Sequence, residues 1–310
     1  MSKNDFLLLI DSNQYLELYR QDKVKKILSM LEEQSSHIFV TQHIVDEVKR
    51  NRVKIAVRFF LQKSNELKKN SFKLPDVLSE SKEDQRDRIL NNLADIFNNL
   101  KNVSDDIDSL FVHLIGQISS SCDEISKVLE PIFSKAILHS DEELQRARLR
   151  KDMRNPPGKK EDPIGDELIW EQILTNFKNK KKLWIITEDQ DYGSIYKKER
   201  FLNNFLYDEL YKISHKAEVY WFDSLTKGID HFVANTGVKA LNRFTPEEKE
   251  EIEKEEENLL PSKLLVEDFE KMITTANAIQ AIRDAVPSFD SEEEFRQALE
   301  RVRKIYNGYL

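Results

Sequence analysis

The stretch Phe6-Leu7-Leu8-Leu9-Ile10-Asp11-Ser12-Asn13 decides the fold. Five consecutive apolar residues are too few for a buried helix, so the run reads as a short strand covered on both faces. It stops on an acid followed by two turn-forming residues, and the chain therefore leaves the sheet at Asp11. Three further runs have the same character: His37–Thr41 (HIFVT), Leu183–Thr187 (LWIIT) and Glu218–Phe222 (EVYWF).

Between these runs the pattern turns helical. Gln14–Glu33 places Leu16, Tyr19, Val24, Ile27, Leu28 and Leu31 mostly at helical spacing. Gln42–Leu67 does the same with Val45, Val48, Ile55 and Phe59, and Asp166–Phe177 carries Trp170, Ile173 and Phe177 on the face of Asp166. Strands alternating with helices imply right-handed crossovers. The expected class is α/β, a three-layer Rossmannoid domain whose central parallel sheet has about four to five strands.

Residues 70–150 interrupt the alternation. Asn91–Leu100, Ile107–Ile118 and Ile125–Leu138 carry apolar residues three and four apart, so the stretch reads as a helical insertion, too long for a structureless loop. After residue 235 the strand pattern does not return. Pro246–Glu257, PEEKEEIEKEEE, has eight Glu against two Lys and predicts a solvated helix that Thr245 can cap. Residues 262–310 read as further helices, with Phe289–Leu299 amphipathic. The expected organisation is a sheet domain from residues 1–69 and 151–235, a helical insertion over 70–150 and a helical C-terminal region over 236–310.

The chain has 310 residues, with 48 Lys and Arg against 56 Asp and Glu, a net charge of -8. That argues against a basic nucleic-acid coat protein but leaves room for local positive surface. Lys49–Lys73 holds nine Lys or Arg against one Glu, and reads as a solvated helix face. Arg146–Lys160 holds seven against one Asp and contains Pro156-Pro157-Gly158, so it reads as a surface loop beside Asp166. The single cysteine, Cys122, excludes an internal disulfide and a Cys-rich zinc site, and a reducing, cytoplasmic compartment is expected. No apolar run approaches the ~20 residues of a membrane span, so no membrane partner is expected. The N-terminal run is too short for a signal peptide. The histidines show no metal-ligand spacing. Trp170, Trp184 and Trp221 read as packing, as does Tyr192, which could alternatively stack on a base.

The chemistry is read from strand ends, because ligands of open parallel sheets bind outside the carboxyl ends of the strands. The first strand ends in Asp11, and the third runs into Thr187-Glu188-Asp189-Gln190-Asp191-Tyr192. Glu47 lies one to two turns into the helix after the second strand, and Asp166 opens the helix before the third. Each acid alone has an ordinary reading: a strand end, a surface helix acid, a helix cap, an Asx-turn. Together, four segments can deliver acids to one sheet edge. Two carboxylates about 4 Å apart cost about 4 kcal/mol at an effective dielectric near 20, so such a cluster needs protons or cations. Hard oxygen ligands without His or Cys select Mg²⁺ or Mn²⁺, and the class of reaction is metal-assisted phosphodiester hydrolysis.

FLLLID-Ser-Asn, VDEV with Glu47, Gly-Asp with Asp166 and ITEDQDY, in this order, resemble the acidic motifs of PIN-domain nucleases. Pro156–Leu174, PPGKKEDPIGDELIWEQIL, is similar to a narrower PIN-like branch, DUF4935. The resemblance covers roughly residues 5–60 and 150–230, and leaves out the insertion and the C-terminal third. It implies a PIN-like fold in which Asp11, Glu47, Asp166 and Asp189 form the catalytic, metal-binding quartet, with Asp191 as an auxiliary metal-binding acid. Asn13 and Thr187 would orient water or phosphate, and Lys159 and Lys160 would touch substrate phosphates. The implied function is an endonuclease, with single-stranded RNA favoured over DNA and products bearing 5′-phosphate and 3′-hydroxyl ends. The Lys-, Asn- and Ile-rich composition fits a bacterial setting, where toxin or antiphage-defence duty would follow. The helical regions would gate the site, form a homo-oligomer or bind a regulatory protein.

Rival readings are a non-catalytic scaffold and a nuclease acting on DNA. A haloacid-dehalogenase-type phosphatase would need a second Asp where Asn13 stands, and a receiver domain would need paired acids and a later strand-end Lys, neither in the expected place.

Overall fold

The computed structural model describes residues 5–21, 24–68, 83–158, 163–197, 199–241 and 244–258, all within the compact unit Met1–Leu265. The helices expected over 262–310, including Phe289–Leu299, lie outside the described residues, as do Lys159 and Lys160.

From the N-terminus, β1 (Phe6–Ile10) leads through α1 (Ser12–Glu17) and α2 (Val24–Gln34) to β2 (Ile38–Phe39). Then follow α3 (Gln42–Lys68), α4 (Glu83–Ser119), α5 (Glu124–Phe133), α6 (Asp141–Asp152) and α7 (Gly165–Asn176). The third strand, β3 (Lys182–Ile186), precedes a hairpin of β4 (Gly193–Tyr196) and β5 (Glu199–Leu202). The described chain closes with α8 (Asn204–Ile213), β6 (Glu218–Phe222), α9 (Leu225–Thr236) and α10 (Pro246–Asn258).

β1, β2, β3 and β6 form one parallel sheet in the order β2-β1-β3-β6. Leu8 pairs with Ile38 on one side and Trp184 on the other, and Trp184 pairs with Tyr220. Every residue of β1 is buried, as is β3 from Leu183 onward, which is why these runs lack alternation: both faces are covered. On one face Phe6, Trp184 and Phe232 meet edge to face, with ring centroids 5.0 Å apart for Phe6–Phe232 and 5.2 Å for Trp184–Phe232. Gly228 lets α9 lie against β3, since a Cβ there would stand 2.4 Å from Ile186 Cδ1.

The α/β class and the four-stranded parallel sheet agree with the sequence expectation, and the four strand runs are the four sheet strands. The helical detail differs. The continuous helix expected over Gln14–Glu33 is two, α1 and α2. Leu18 and Tyr19 in the intervening turn are buried, and the Tyr19 hydroxyl lies 3.2 Å from Ser126 Oγ, so the apolar spacing runs through the break unaltered. Conversely, the segments 91–100 and 107–118 belong to one helix, α4, which has no proline and whose only glycine is Gly116. Ile125–Leu138 is helical only to Phe133. Ile137 then bridges to Thr41 in parallel fashion, donating its N–H to Val40 O at 3.0 Å, so the end of the insertion extends the sheet edge beside β2. The boundary at residue 150 falls inside α6, which packs on α7. As expected, α10 begins after Thr245, whose hydroxyl accepts from Glu248 N. Among the described residues, no helix is long and apolar enough to cross a membrane.

Candidate active site

Parallel pairing puts the carboxyl ends of β1 and β3 side by side. Ile10 pairs with Ile186, and the N–H of the next residue, Asp11, donates to Ile186 O at 3.0 Å. Asp11 therefore leaves the sheet at the edge where Thr187, Glu188 and Asp189 leave it. Its carboxylate is tied down on both oxygens. Oδ1 accepts from Ser12 N at 2.7 Å, and Oδ2 accepts from Thr187 Oγ1 at 2.7 Å and Asn13 Nδ2 at 3.0 Å. The same Thr187 oxygen accepts from Asn13 Nδ2 at 3.1 Å and Asp189 N at 3.1 Å. Thr187 is wholly buried, so its hydroxyl sets the orientation of Asp11 and the turn bearing Asp189 and does not reach outward.

Glu47 and Asp166 arrive from two helices whose first turns touch. His43, one turn before Glu47 on α3, lies so close to Gly165 that a Cβ there would stand 2.2 Å from His43 Nε2. The His43 ring thus fills the place where a side chain at 165 would stand, and Asp166 is the next residue. The result is electrostatic convergence of all four acids. Burial, then the charges of Asp189 and Glu47, push the Asp11 carboxyl up to about 7. Burial, then Asp11, Asp189 and Glu47, hold Asp166 well above the ordinary carboxylate range. Asp191 lies on the 3-10 turn Gln190–Tyr192, and its charge registers on buried Tyr192.

Among the described residues, no group of three or more His, Cys, Asp or Glu side chains stands ready around one metal position. The acids are electrostatic neighbours and not a closed cage. The donor set nevertheless fits a hydrated hard cation. It is all oxygen, it carries a charge excess, and Asn13 Oδ1 and Tyr15 Oη are buried without a hydrogen-bond partner. Tyr15 is within electrostatic reach of Asp11, whose charge adds to burial in raising its pKa.

Two features escaped the sequence reading. Glu188 is a further acid at this edge. Burial pushes it up to about 7, with Arg20 opposing and Asp189 and Asp223 adding. Nothing but its place beside Asp189 could have signalled it. The second is a correction: the stretch from Arg146 is not a basic loop. Its first half is α6, opened by a Ser140–Glu143 capping box, and two of its arginines are held by acids of α7 and α8. Arg146 Nε and Arg150 Nε donate to Glu171 at 2.8 and 2.9 Å, and Arg150 Nη2 also donates to Glu209 at 2.7 Å. The signal was there in Glu171 and Glu209, but neither is near α6 in sequence.

The matched family is a PIN-like domain, over residues 7–199. The chain belongs to the PIN-like domain family. The matched span begins before the helical stretch 70–150 and ends after it. No curated protein and no solved structure matches the chain. PIN-like domains are typically nucleases, which places this chain among the hydrolases at that coarse level, and they generally use divalent metal ions.

Proposed function

We propose that this PIN-like protein is a metal-dependent endonuclease acting on single-stranded RNA, in the narrower branch that Pro156–Leu174 suggests, with toxin or antiphage-defence duty. The observation that carries the nuclease reading is the convergence of Asp11, Glu47, Asp166 and Asp189 from four separate segments on one end of a parallel sheet. No fold needs that arrangement for stability, because each acid raises the cost of the others. The quartet would hold Mg²⁺ or Mn²⁺, which supplies Lewis acidity and a water of lowered pKa when bound. The protein's own part is orientation. Ser12 N–H, Asn13 and Thr187 fix both oxygens of Asp11 before any ligand arrives, so no reorganisation is needed at that acid. The preference for RNA rests on the family resemblance alone.

The test is cleavage of labelled RNA and DNA strands in Mn²⁺ by the native chain, Asp11→Asn and Asp189→Asn. Removing one such acid is expected to lower the rate by at least ~10²-fold, since loss of an outer-shell partner alone costs ~10–100-fold. Equal cleavage by all three proteins would reject the assignment. Faster cleavage of DNA than of RNA would replace the substrate, and no cleavage by any of them would leave the scaffold reading.

A further inference from the structure

The loop from Thr187 to Tyr192 carries Asp189 and Asp191 between β3 and β4, and one indole of β6 meets both of its ends. At the start, Trp221 Nε1 donates to Thr187 O at 3.4 Å. Thr187 is thus held from two directions, its hydroxyl on Asp11 and Asp189 N and its carbonyl oxygen on Trp221. Just past the end, Gly193 lies so close that a Cβ there would stand 2.9 Å from Trp221 Cζ3. Nε1 belongs to the five-membered ring and Cζ3 to the six-membered ring, so the loop spans the width of the indole. Arg200 of β5 closes the arrangement. Its guanidinium lies 4.9 Å from the Trp221 ring centroid, and Nη2 donates to Asp223 Oδ2 at 2.5 Å. Asp223 is itself tied to α1, its O accepting from Gln14 Nε2 at 3.0 Å. Asn203 N donates to Tyr192 O at 2.8 Å and joins the return strand of the hairpin to the loop.

We propose that Trp221 and Arg200 are positioning residues for Asp189 and Asp191, fixing the loop that presents these acids to a divalent cation. They act through the loop and not on the ion, and the inference rests on the metal-binding reading of the acids. Two comparisons separate this role from plain packing. Lys182 makes the matching contacts at the other end of the same strand pair, with Glu218 Oε2 at 3.2 Å and the Tyr220 ring centroid at 6.0 Å. It opens β3, a strand's length from the loop, so its loss should not reach the acids. The second comparison is of sign. The charge of Arg200 reaches the loop, where burial raises the Glu188 pKa and Arg20 and Arg200 oppose that rise. By electrostatics alone, a cation should bind more tightly once that charge is gone. A positioning role requires the opposite, because a loop free to move no longer holds its carboxylates ready.

The experiment is binding of Mn²⁺ to the full chain, followed by the electron paramagnetic resonance of the free ion, with circular dichroism to check the fold. The chains compared are the native one, Arg200→Met, Trp221→Phe and Lys182→Met. Arg200→Met and Trp221→Phe are each expected to raise the Kd for Mn²⁺ about 10-fold or more, the scale of a lost outer-shell partner, and Lys182→Met to leave it unchanged. Trp221→Phe alters no charge, so its effect has no electrostatic source, and it carries the test if Arg200→Met does not fold. Binding by Arg200→Met or Trp221→Phe as tight as the native chain's, or tighter, would overturn the proposal while the metal site stood. Equal weakening by Lys182→Met would overturn it too, as a general loss of stability. A native chain that binds no Mn²⁺ would remove the metal-binding reading of the acids, and this inference with it.

Discussion

Asp11 and Glu171 are both 5% exposed, yet the protein treats the two carboxylates in opposite ways. Around Glu171 every charge is answered. Arg146 and Arg150 bind both of its oxygens, Arg150 also takes Glu209 and donates to Pro156 O, and Glu209 accepts from Trp170 Nε1. Burial works against charge on Arg150, but its bonds to Glu209 and Glu171 outweigh that and hold its pKa above the ordinary value. Around Asp11 the hydrogen bonds are just as deliberate, but the charges that act on it most, those of Asp189 and Glu47, have its own sign. The first region is complete within the chain. The second gathers charges of one sign in a buried place, which is what sets a candidate functional site apart from a structural ion-pair network.

The largest effect that tests this contrast should come from the answered side. Arg150→Met leaves Glu171 and Glu209 short of a buried guanidinium, and is expected to cost about 3–5 kcal/mol in urea unfolding. A cost below about 1 kcal/mol would mean that the network is not compensated as described. On the Asp11 side the same kind of change should have the opposite sign. Without metal, Asp11→Asn is expected to melt at or above the temperature of the native chain, because it removes a charge that its neighbours oppose. At about 100 times its Kd, a divalent ion should stabilise the native chain by about 2.7 kcal/mol and Asp11→Asn far less. A native chain that Mg²⁺ and Mn²⁺ leave unmoved would end the contrast.

The smallest effect concerns the aromatic block on the sheet, which holds no buried acid and serves as a baseline. Trp184 Nε1 donates to His231 Nδ1 at 3.0 Å, which requires a neutral imidazole. Burial, then Lys182, keeps the His231 pKa below its ordinary 6.5. The unfolded chain therefore takes up this proton first on acidification. The stability that His231 contributes is full above about pH 6.5 and declines as pH falls through that value toward the folded pKa. His231→Asn is expected to flatten that part of the stability profile, by less than about 1 kcal/mol. An unchanged profile would remove His231 as the cause.

The sequence showed the sheet and the acids because both depend on local runs. A doubly covered strand has to be continuously apolar, and a strand-end acid is next to that run, so FLLLID and LWIITED could be read without coordinates. What stayed hidden depended on distant partners. Nothing near Arg150 indicates Glu171 or Glu209, and nothing near His43 shows that it would lie against Gly165. The hairpin of β4 and β5 was missed because SIY and ERFL are short and mostly exposed, and ERFL opens on two charges, so they lack the apolar density of the sheet strands. Periodicity also failed in the turn after α1, where buried Leu18 and Tyr19 imitate a continuing helix. For the same reason it mistook the extended segment around Ile137 for the last turn of one.

Gly165 performs no chemistry, yet a methyl group there would strike the His43 ring and make it turn aside. The place of the ring one turn before Glu47 thus depends on a missing side chain beside Asp166. A position with nothing to donate, accept or ionise can in this way shape the surroundings of the carboxylates beside it.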